Sequence, residues 1–143
     1  EKSELRDRAS AIQTIPSNAT VFDAIALMAE KNIGALPVVQ HGRLVGMFSE
    51  RDYTRKVVLQ GRSSKTTTVR EIMTGNVICV TLKHGVEETL RIITENRVRH
   101  LPVKDGGRVI GLISIGDLVK WVIHAQRSAL SQLEAYVAGG YPG

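Results

Sequence analysis

Residues 36–46 read LPVVQHGRLVG, and residues 101–111 read LPVKDGGRVIG, so one pattern of strand and turn residues occurs twice in the chain. The two copies share an offset of 65 positions, and the same offset continues without a gap on both sides. Matching pairs include Val21 with Val86, Glu30 with Glu95, Ser49 with Ser114, and Asp52 with Asp117. Such an ungapped register indicates an internal repeat. We therefore predict two homologous halves, at about residues 10–60 and 74–125.

The first half begins with the signals of a strand and a helix. Residues 12–15 predict a short strand, and the spacing of Thr20 and Asp23 resembles a capping box at the start of an apolar helical stripe. The helix is expected to end at residues 32–34, with Gly34 in the left-handed conformation that commonly ends helices.

Two strands and a second helix complete this half as a β-α-β-β-α unit. Strands are expected at 36–39 and 43–49, joined by a tight turn at His41-Gly42. Asp52 fits the N-cap of a helix that runs toward Gly61.

The second half repeats this order, with a longer final helix. Its strands are predicted at 77–81, 101–103 and 108–114. The final helix starts with Asp117 as its N-cap and is expected to reach about Ala138. Its apolar stripe is longer than one lobe requires, so either a partner chain covers part of it or the helix folds back on its own domain.

The predicted fold class is α/β (α+β), with two repeats packed sheet against sheet in pseudo-twofold symmetry. A half of about 50 residues buries too little surface to be stable alone. We assign 1–68 to the first repeat with its lead-in and connector, 69–125 to the second repeat, and 126–143 to a helical extension and tail. The polar, basic segment 61–72 is predicted to connect the halves. Two equivalent clefts between the lobes would be favourable places for small ligands.

Composition limits the classes of function. The chain of 143 residues has a net charge of +5, 43% hydrophobic residues and one cysteine, Cys79, so an internal disulfide is excluded. No apolar run is long enough to span a bilayer, and the first residues do not resemble a signal peptide, so we expect a soluble, cytoplasmic protein with no membrane partner. The histidines are not paired at ligand spacing and no nucleophile motif is present, so no metal, catalytic residue or catalytic cofactor is expected, and we predict that the protein is not an enzyme.

The repeated Ser-x-x-Asp pattern lies where a strand passes into a helix in each half. A helix N-terminus offers unpaired N–H groups that suit a phosphate, and a carboxylate can accept hydrogen bonds from ribose hydroxyls. Ser49 with Asp52, and Ser114 with Asp117, are therefore either simple helix caps or parts of ligand sites. Arg51, Arg99 and His100 are likewise either a solvated basic edge or a phosphate clamp.

Together these motifs resemble a pair of CBS domains, also called a Bateman module, over about residues 10–125. The resemblance rests on Leu-Pro-Val at 36–38 and 101–103, on Gly46 to Ser49 and Gly111 to Ser114, and on the Asp three residues after each Ser. Residues 71–74, Glu-Ile-Met-Thr, resemble the lead-in of the family's second repeat. The resemblance implies a stand-alone regulatory protein that binds an adenosyl ligand (AMP, ADP, ATP, NAD or S-adenosylmethionine). It also implies a homodimer that signals by conformational change to an unknown protein effector.

Carried over from the family, two crossed ligand sites are expected. The first would contain Ser49, Arg51, Asp52, Met73, Thr74, Ile78, Arg99 and His100. The second would contain Gln13, Ile33, Gly34, Ala35, Ser114 and Asp117. The first site has its own Arg/His cluster and is therefore expected to prefer phosphorylated ligands, while the second is expected to be roomier and less charged.

One alternative function stays open at this stage. A basic protein of pI about 9.7 with vestigial clefts would bind nucleic acid or act as a scaffold. Because aromatic residues make up only 4% of the chain, a base-stacking surface and a nucleic-acid partner are not expected.

Overall fold

Two small sheets, each covered by helices, form the two lobes of the protein. The computed structural model describes residues 12–135. The first lobe contains α1 (Val21–Lys31), β1 (Ala35–Gln40), β2 (Arg43–Ser49), α2 (Glu50–Asp52), a π-helix (Tyr53–Val58) and α3 (Val69–Ile72). The second contains β3 (Val80–Thr81), α4 (Val86–Asn96), β4 (His100–Asp105), β5 (Arg108–Ser114) and α5 (Ile115–Ala135). The predicted mixture of helices and sheets in two repeats is confirmed.

Each lobe is built on an antiparallel hairpin, β1 with β2 and β4 with β5. Both hairpin turns have two residues with positive φ, His41 and Gly42 in the first and Gly106 and Gly107 in the second. This geometry matches the twist of the flanking strands, as expected of a tight two-residue turn. The pairing shifts at the same register in both hairpins, so the repeat extends to the irregularities of the sheets.

The strands that precede each half are shorter than predicted. Within 12–15, only Ile15 pairs with a strand, through a parallel bridge to Val38 of β1. Ile15 N–H donates to Pro37 O, and Val39 N–H donates to Ile15 O. Within 77–81, only Val80–Thr81 pairs, in parallel with β4.

Helix α1 ends differently from the prediction. Asn32, with φ 54°, adopts the left-handed conformation that was expected of Gly34, and Arg97, with φ 53°, does the same after α4. The expectation for Gly34 was therefore wrong. Asparagine tolerates this conformation because its short polar side chain can hydrogen-bond locally.

The predicted connector at 61–72 contains a structural helix. Val69 and Ile72 of α3 are buried among the apolar residues of α1, β1 and β2, so the segment that starts the predicted second repeat packs against the first lobe. Its start is fixed by a capping box, because Thr68 N–H donates to Glu71 Oε2 at 2.7 Å. The segment was predicted as a polar connector, and its last four residues form a short helix with two buried apolar side chains.

Each lobe has its own apolar core, and the two sheets meet where β2 contacts β5. Phe48 and Leu36 are fully buried in the first core, as are Leu101 and Ile113 in the second. Helix α5 starts in the second core with Leu118, but its residues 126–135 are all exposed. The predicted continuation to Ala138 lies outside the described residues. Between residues 12 and 135, no helix is long and apolar enough to cross a membrane.

Candidate functional site

A cavity of about 590 Å³ opens between the two lobes. The first lobe contributes the end of β2 and the start of the following helix, and the second contributes the loop before β4. The lining residues that the sequence predicted for the first site are Ser49, Arg51, Asp52, Thr74, Ile78, Arg99 and His100. The cavity therefore brings together residues that lie far apart in the sequence.

Ser49 and Asp52 hold each other at the start of α2. Ser49 N–H and Ser49 Oγ–H each donate to Asp52 Oδ2 at 3.0 Å, and Asp52 N–H donates back to Ser49 Oγ at 3.1 Å. Ser49 is thus the N-cap and Asp52 is the third helical residue of a capping box. The prediction of Asp52 as N-cap was wrong. Ser's short hydroxyl reaches the backbone N–H three residues on, which leaves the carboxylate beside the cavity.

The second copy repeats this arrangement. Ser114 N–H donates to Asp117 Oδ2 at 3.0 Å, and Asp117 N–H donates to Ser114 Oγ at 3.1 Å. Because α5 begins at Ile115, the prediction of Asp117 as N-cap was wrong for the same reason. The internal repeat is therefore preserved in hydrogen bonding as well as in fold.

The sequence profile of the CBS domain matches residues 8–59 and 69–124, which is most of the chain. The chain belongs to the CBS-domain family. It is 48% identical over 128 residues to the CBS domain-containing protein CBSX3, mitochondrial, of Arabidopsis thaliana; the match covers 85% of this chain and 62% of that protein.

Solved structures of CBS proteins have the same fold. A CBS-domain protein of Burkholderia ambifaria MC40-6 is 57% identical with a TM-score of 0.78, over 84% of this chain and 88% of that one. The CBS domain pair of protein MJ0100, solved with 5'-methylthioadenosine and S-adenosyl-L-methionine, is 28% identical with a TM-score of 0.74, over 84% of this chain and 95% of that one. The chain is thus a CBS pair, which is a regulatory module.

Asp52 of the first CBS repeat receives hydrogen bonds on both carboxylate oxygens. Besides the two bonds from Ser49 to Oδ2, Thr74 Oγ1–H donates to Oδ1 at 3.4 Å, and Lys56 Nζ lies 3.1 Å from the same oxygen. Asp52 is only 13% exposed, whereas Lys56 is 44% exposed. The carboxylate is therefore held in place, with its charge directed at one side of the cavity.

Cations outnumber carboxylates around the cavity. Arg51 and Arg99 were predicted to line it, and sequence reasoning missed Arg55, Lys56 and Arg97. Arg55 and Lys56 follow the Ser-x-x-Asp motif by one helical turn, which is the signal that would have indicated them. The carboxylates in the lining are those of Glu50 and Asp52. This excess of positive charge favours an anionic ligand.

His100 lies half-buried at the cavity wall beside the lobe interface. Burial lowers the pKa of its ring below the ordinary value, against the opposing effects of the Asp117 and Glu50 carboxylates, and Arg99 lowers it further. A neutral ring is thereby favoured in the folded protein. Gly34 leaves room for this arrangement, since a β-carbon there would lie 3.0 Å from Glu50 Oε1 and 3.5 Å from the His100 ring.

Three of the remaining predicted residues, Gly34, Ala35 and Met73, are placed differently from the crossed-site scheme. Gly34 and Ala35, expected in the second site, line the same cavity as Asp52. Met73, expected in this site, is not among the lining residues. The cavity is also not lined by the other residues assigned to the second site, Gln13, Ile33, Ser114 and Asp117, whose assignment stays a prediction. Met73 instead packs on β2 beside Gly46. Within residues 12–135, no three His, Cys, Asp or Glu side chains cluster in a way that would hold a metal ion.

Proposed function

We propose that this CBS pair binds an adenosine nucleotide in the cavity between its lobes and acts as a regulatory sensor. The observation that supports this most strongly is the combination of Asp52 with five cationic side chains in one cavity of about 590 Å³. A ribose needs an acceptor for its hydroxyls and a phosphate needs cations, and both line this cavity.

The apolar residues that line the cavity suit an adenine ring. Ala35, Met47, Val77 and Ile78 contribute apolar surface from both lobes. Binding sites for small molecules typically combine an apolar lining with a few well-placed polar groups. The MJ0100 pair, solved with two adenosyl ligands, supports this class of ligand among AMP, ADP, ATP, NAD and S-adenosylmethionine.

A ligand that contacts both lobes can favour one arrangement of them over another. It does so only by the difference between its affinities for the two arrangements. We propose that this shift is the signal and that the protein acts as a homodimer on an unknown protein effector, without catalysing a reaction. A cytoplasmic location stays a prediction.

A melting and titration experiment tests the ligand class. Wild-type protein is titrated at fixed salt with AMP, ADP, ATP, NAD, S-adenosylmethionine and GMP. A ligand at about a hundred times its dissociation constant raises the free energy of unfolding by about 2.7 kcal/mol, which gives a clear rise in melting temperature. We expect adenosyl ligands to give this rise and GMP to give none. No rise with any of them would overturn the proposal and favour the nucleic-acid or scaffold alternative.

Asp52→Ala tests the position of the site, with Asp117→Ala as its matched control. Both variants lose the same capping interaction, so both should melt slightly lower than wild type. Of the two variants, only Asp52→Ala removes a carboxylate that lines the cavity, and it should weaken the binding of AMP there. If Asp52→Ala binds AMP with wild-type affinity and stoichiometry, Asp52 does not hold the ligand. Loss of a second equivalent of AMP in Asp117→Ala would support the second predicted site.

A further inference from the structure

The ammonium group of Lys56 lies between two acceptors at the edge of the cavity. Lys56 Nζ is 3.1 Å from Asp52 Oδ1 and donates to the backbone oxygen of Ile72, also at 3.1 Å. Ile72 is the last residue of α3, so its carbonyl has no partner within the helix and is available to Lys56. Lys56 therefore covers the carboxylate that the proposed function assigns to ribose.

Both carboxylate oxygens of Asp52 have partners in this state. A carboxylate offers about four lone-pair positions on its two oxygens. Two positions on Oδ2 are used by Ser49, Oδ1 accepts from Thr74, and the Lys56 ammonium is ion-paired with the same Oδ1. Two ribose hydroxyls that bind Asp52 must therefore compete with some of these partners.

The donors differ in how easily they can be replaced. Losing the two Ser49 bonds would remove the carboxylate half of the capping box at the start of α2. The hydrogen bond from Thr74 is long, at 3.4 Å. In the ion pair with Asp52, the Lys56 side chain is the more exposed member, at 44%. An ion pair with one exposed member is separated more easily than a fully buried one. Thr74 and Lys56 are therefore the donors that a ribose replaces.

We propose that Lys56 is a specificity residue that makes occupation of this cavity depend on a phosphate in the ligand. When a ribose takes Asp52 Oδ1, the Lys56 ammonium loses its carboxylate partner. A phosphate on the same ligand supplies a new anion for it, whereas an uncharged nucleoside does not. The cavity thus favours phosphorylated adenosines over adenosine itself. This inference rests on the proposed function.

The local structure agrees with a device that belongs to the first repeat alone. Lys56 lies in the π-helix Tyr53–Val58, in which Leu59 N–H donates to Thr54 O. Such segments are rare in proteins, and those that occur are often at functional sites. The repeat offset places Trp121 at the corresponding position of the second copy, where the helix is regular. The basic residue one turn after Asp117 is Lys120, which corresponds to Arg55, so the second copy has no counterpart of Lys56.

Titration calorimetry with adenosine and AMP at one fixed salt concentration tests this role. In Lys56→Met, we expect the affinity for AMP to fall about tenfold, which is the usual value of one charge-assisted hydrogen bond. The affinity for adenosine should rise about threefold, because no ion pair has to be broken. Arg55→Met is the matched control, since Arg55 lines the same cavity without an ion pair to Asp52. It should weaken AMP and leave adenosine unchanged.

The outcomes separate this inference from the proposed function. If wild-type protein binds AMP but Lys56→Met does not bind adenosine more tightly than wild type, the role of Lys56 is wrong and the proposed function stands. If wild-type protein binds neither ligand, both are wrong. Lys56→Gln, with its polar side chain of similar length, provides the same test if Lys56→Met does not fold, as judged by its melting curve.

Discussion

Gly46 of β2 lies so close to Met73 that a β-carbon on the glycine would be 2.5 Å from the methionine sulfur and 2.9 Å from the backbone oxygen of Thr74. Real β-carbons do not approach other atoms this closely. Two hydrogen bonds of 2.9 Å between the backbones of Met47 and Thr74 fix this contact. The close approach places Thr74 next to Asp52, so the glycine of the repeated motif helps to shape the cavity.

Gly46→Ala should therefore both destabilise the protein and weaken the binding of AMP. Overpacking of this kind costs about 1–3 kcal/mol of unfolding free energy, since the Met73–Thr74 segment must move away from β2. Gly75→Ala is the control, because a β-carbon there would meet nothing within 4 Å. Thermal melting and AMP titration of both variants measure the effects. Wild-type melting of Gly46→Ala would contradict the close contact.

Ser49→Ala and Ser114→Ala should destabilise the protein to a similar extent. Each variant removes an N-cap that accepts a hydrogen bond of 3.1 Å from an Asp three residues on, which is worth about 1 kcal/mol. Chemical denaturation measures this change. Since only Ser49 lines the described cavity, Ser49→Ala alone should also weaken the binding of AMP in it. A much larger loss of stability in one variant would show that the two caps are not equivalent.

Much of the fold was predictable because the two halves of the chain carry the same local sequence signals. Each hairpin turn and each Ser-x-x-Asp motif occurs twice at one offset, so local signals that are weak singly support each other. The errors arose at helix ends, where a polar residue occupies a position that another residue type occupies more often. Asn32 ends α1 in place of a glycine, and Asp52 is the third residue of a capping box rather than its N-cap.

The cavity was only partly predictable from the sequence. Residues carried over from the motif, such as Ser49 and Asp52, were found, because the motif fixes their place at a strand end. The cation Arg97 was missed because its contribution depends on how the two lobes face each other, whereas Lys56 was missed although it follows the motif by one helical turn. Gly34 was predicted for the second site but lines the same cavity as Asp52, where it makes room for His100 across the interface between the lobes.

Acid should destabilise the wild-type protein partly through His100. Burial lowers the pKa of this ring in the folded state, so the unfolded chain binds the proton more readily. The free energy of unfolding therefore falls as pH decreases through the ordinary histidine pKa of about 6.5. His100→Gln removes this contribution and should show a smaller fall in melting temperature between about pH 7.5 and pH 5.5.

His124→Gln is the control for this measurement. His124 is exposed on α5, so its replacement removes a histidine without removing a buried ring. We expect its melting temperature to follow the wild-type dependence on pH. An identical pH dependence in wild type and His100→Gln would contradict a contribution from the buried ring.

The exposed end of α5 should hold two copies of the chain together. Leu130 and Leu133 are 55% and 58% exposed, and Ile123, one heptad before Leu130, is 42% exposed. These three residues follow the spacing of a helix–helix seam. A short helical segment without tertiary contacts is only marginally stable in water, which favours a covering partner. The double variant Leu130→Ser/Leu133→Ser should therefore shift the proposed homodimer toward monomer in light scattering.

Ser128→Ala/Gln132→Ala changes two exposed polar residues of the same helix and should remain dimeric. A wild-type chain that is monomeric at high concentration would overturn the proposed homodimer, and a leucine variant that stays dimeric would place its interface elsewhere.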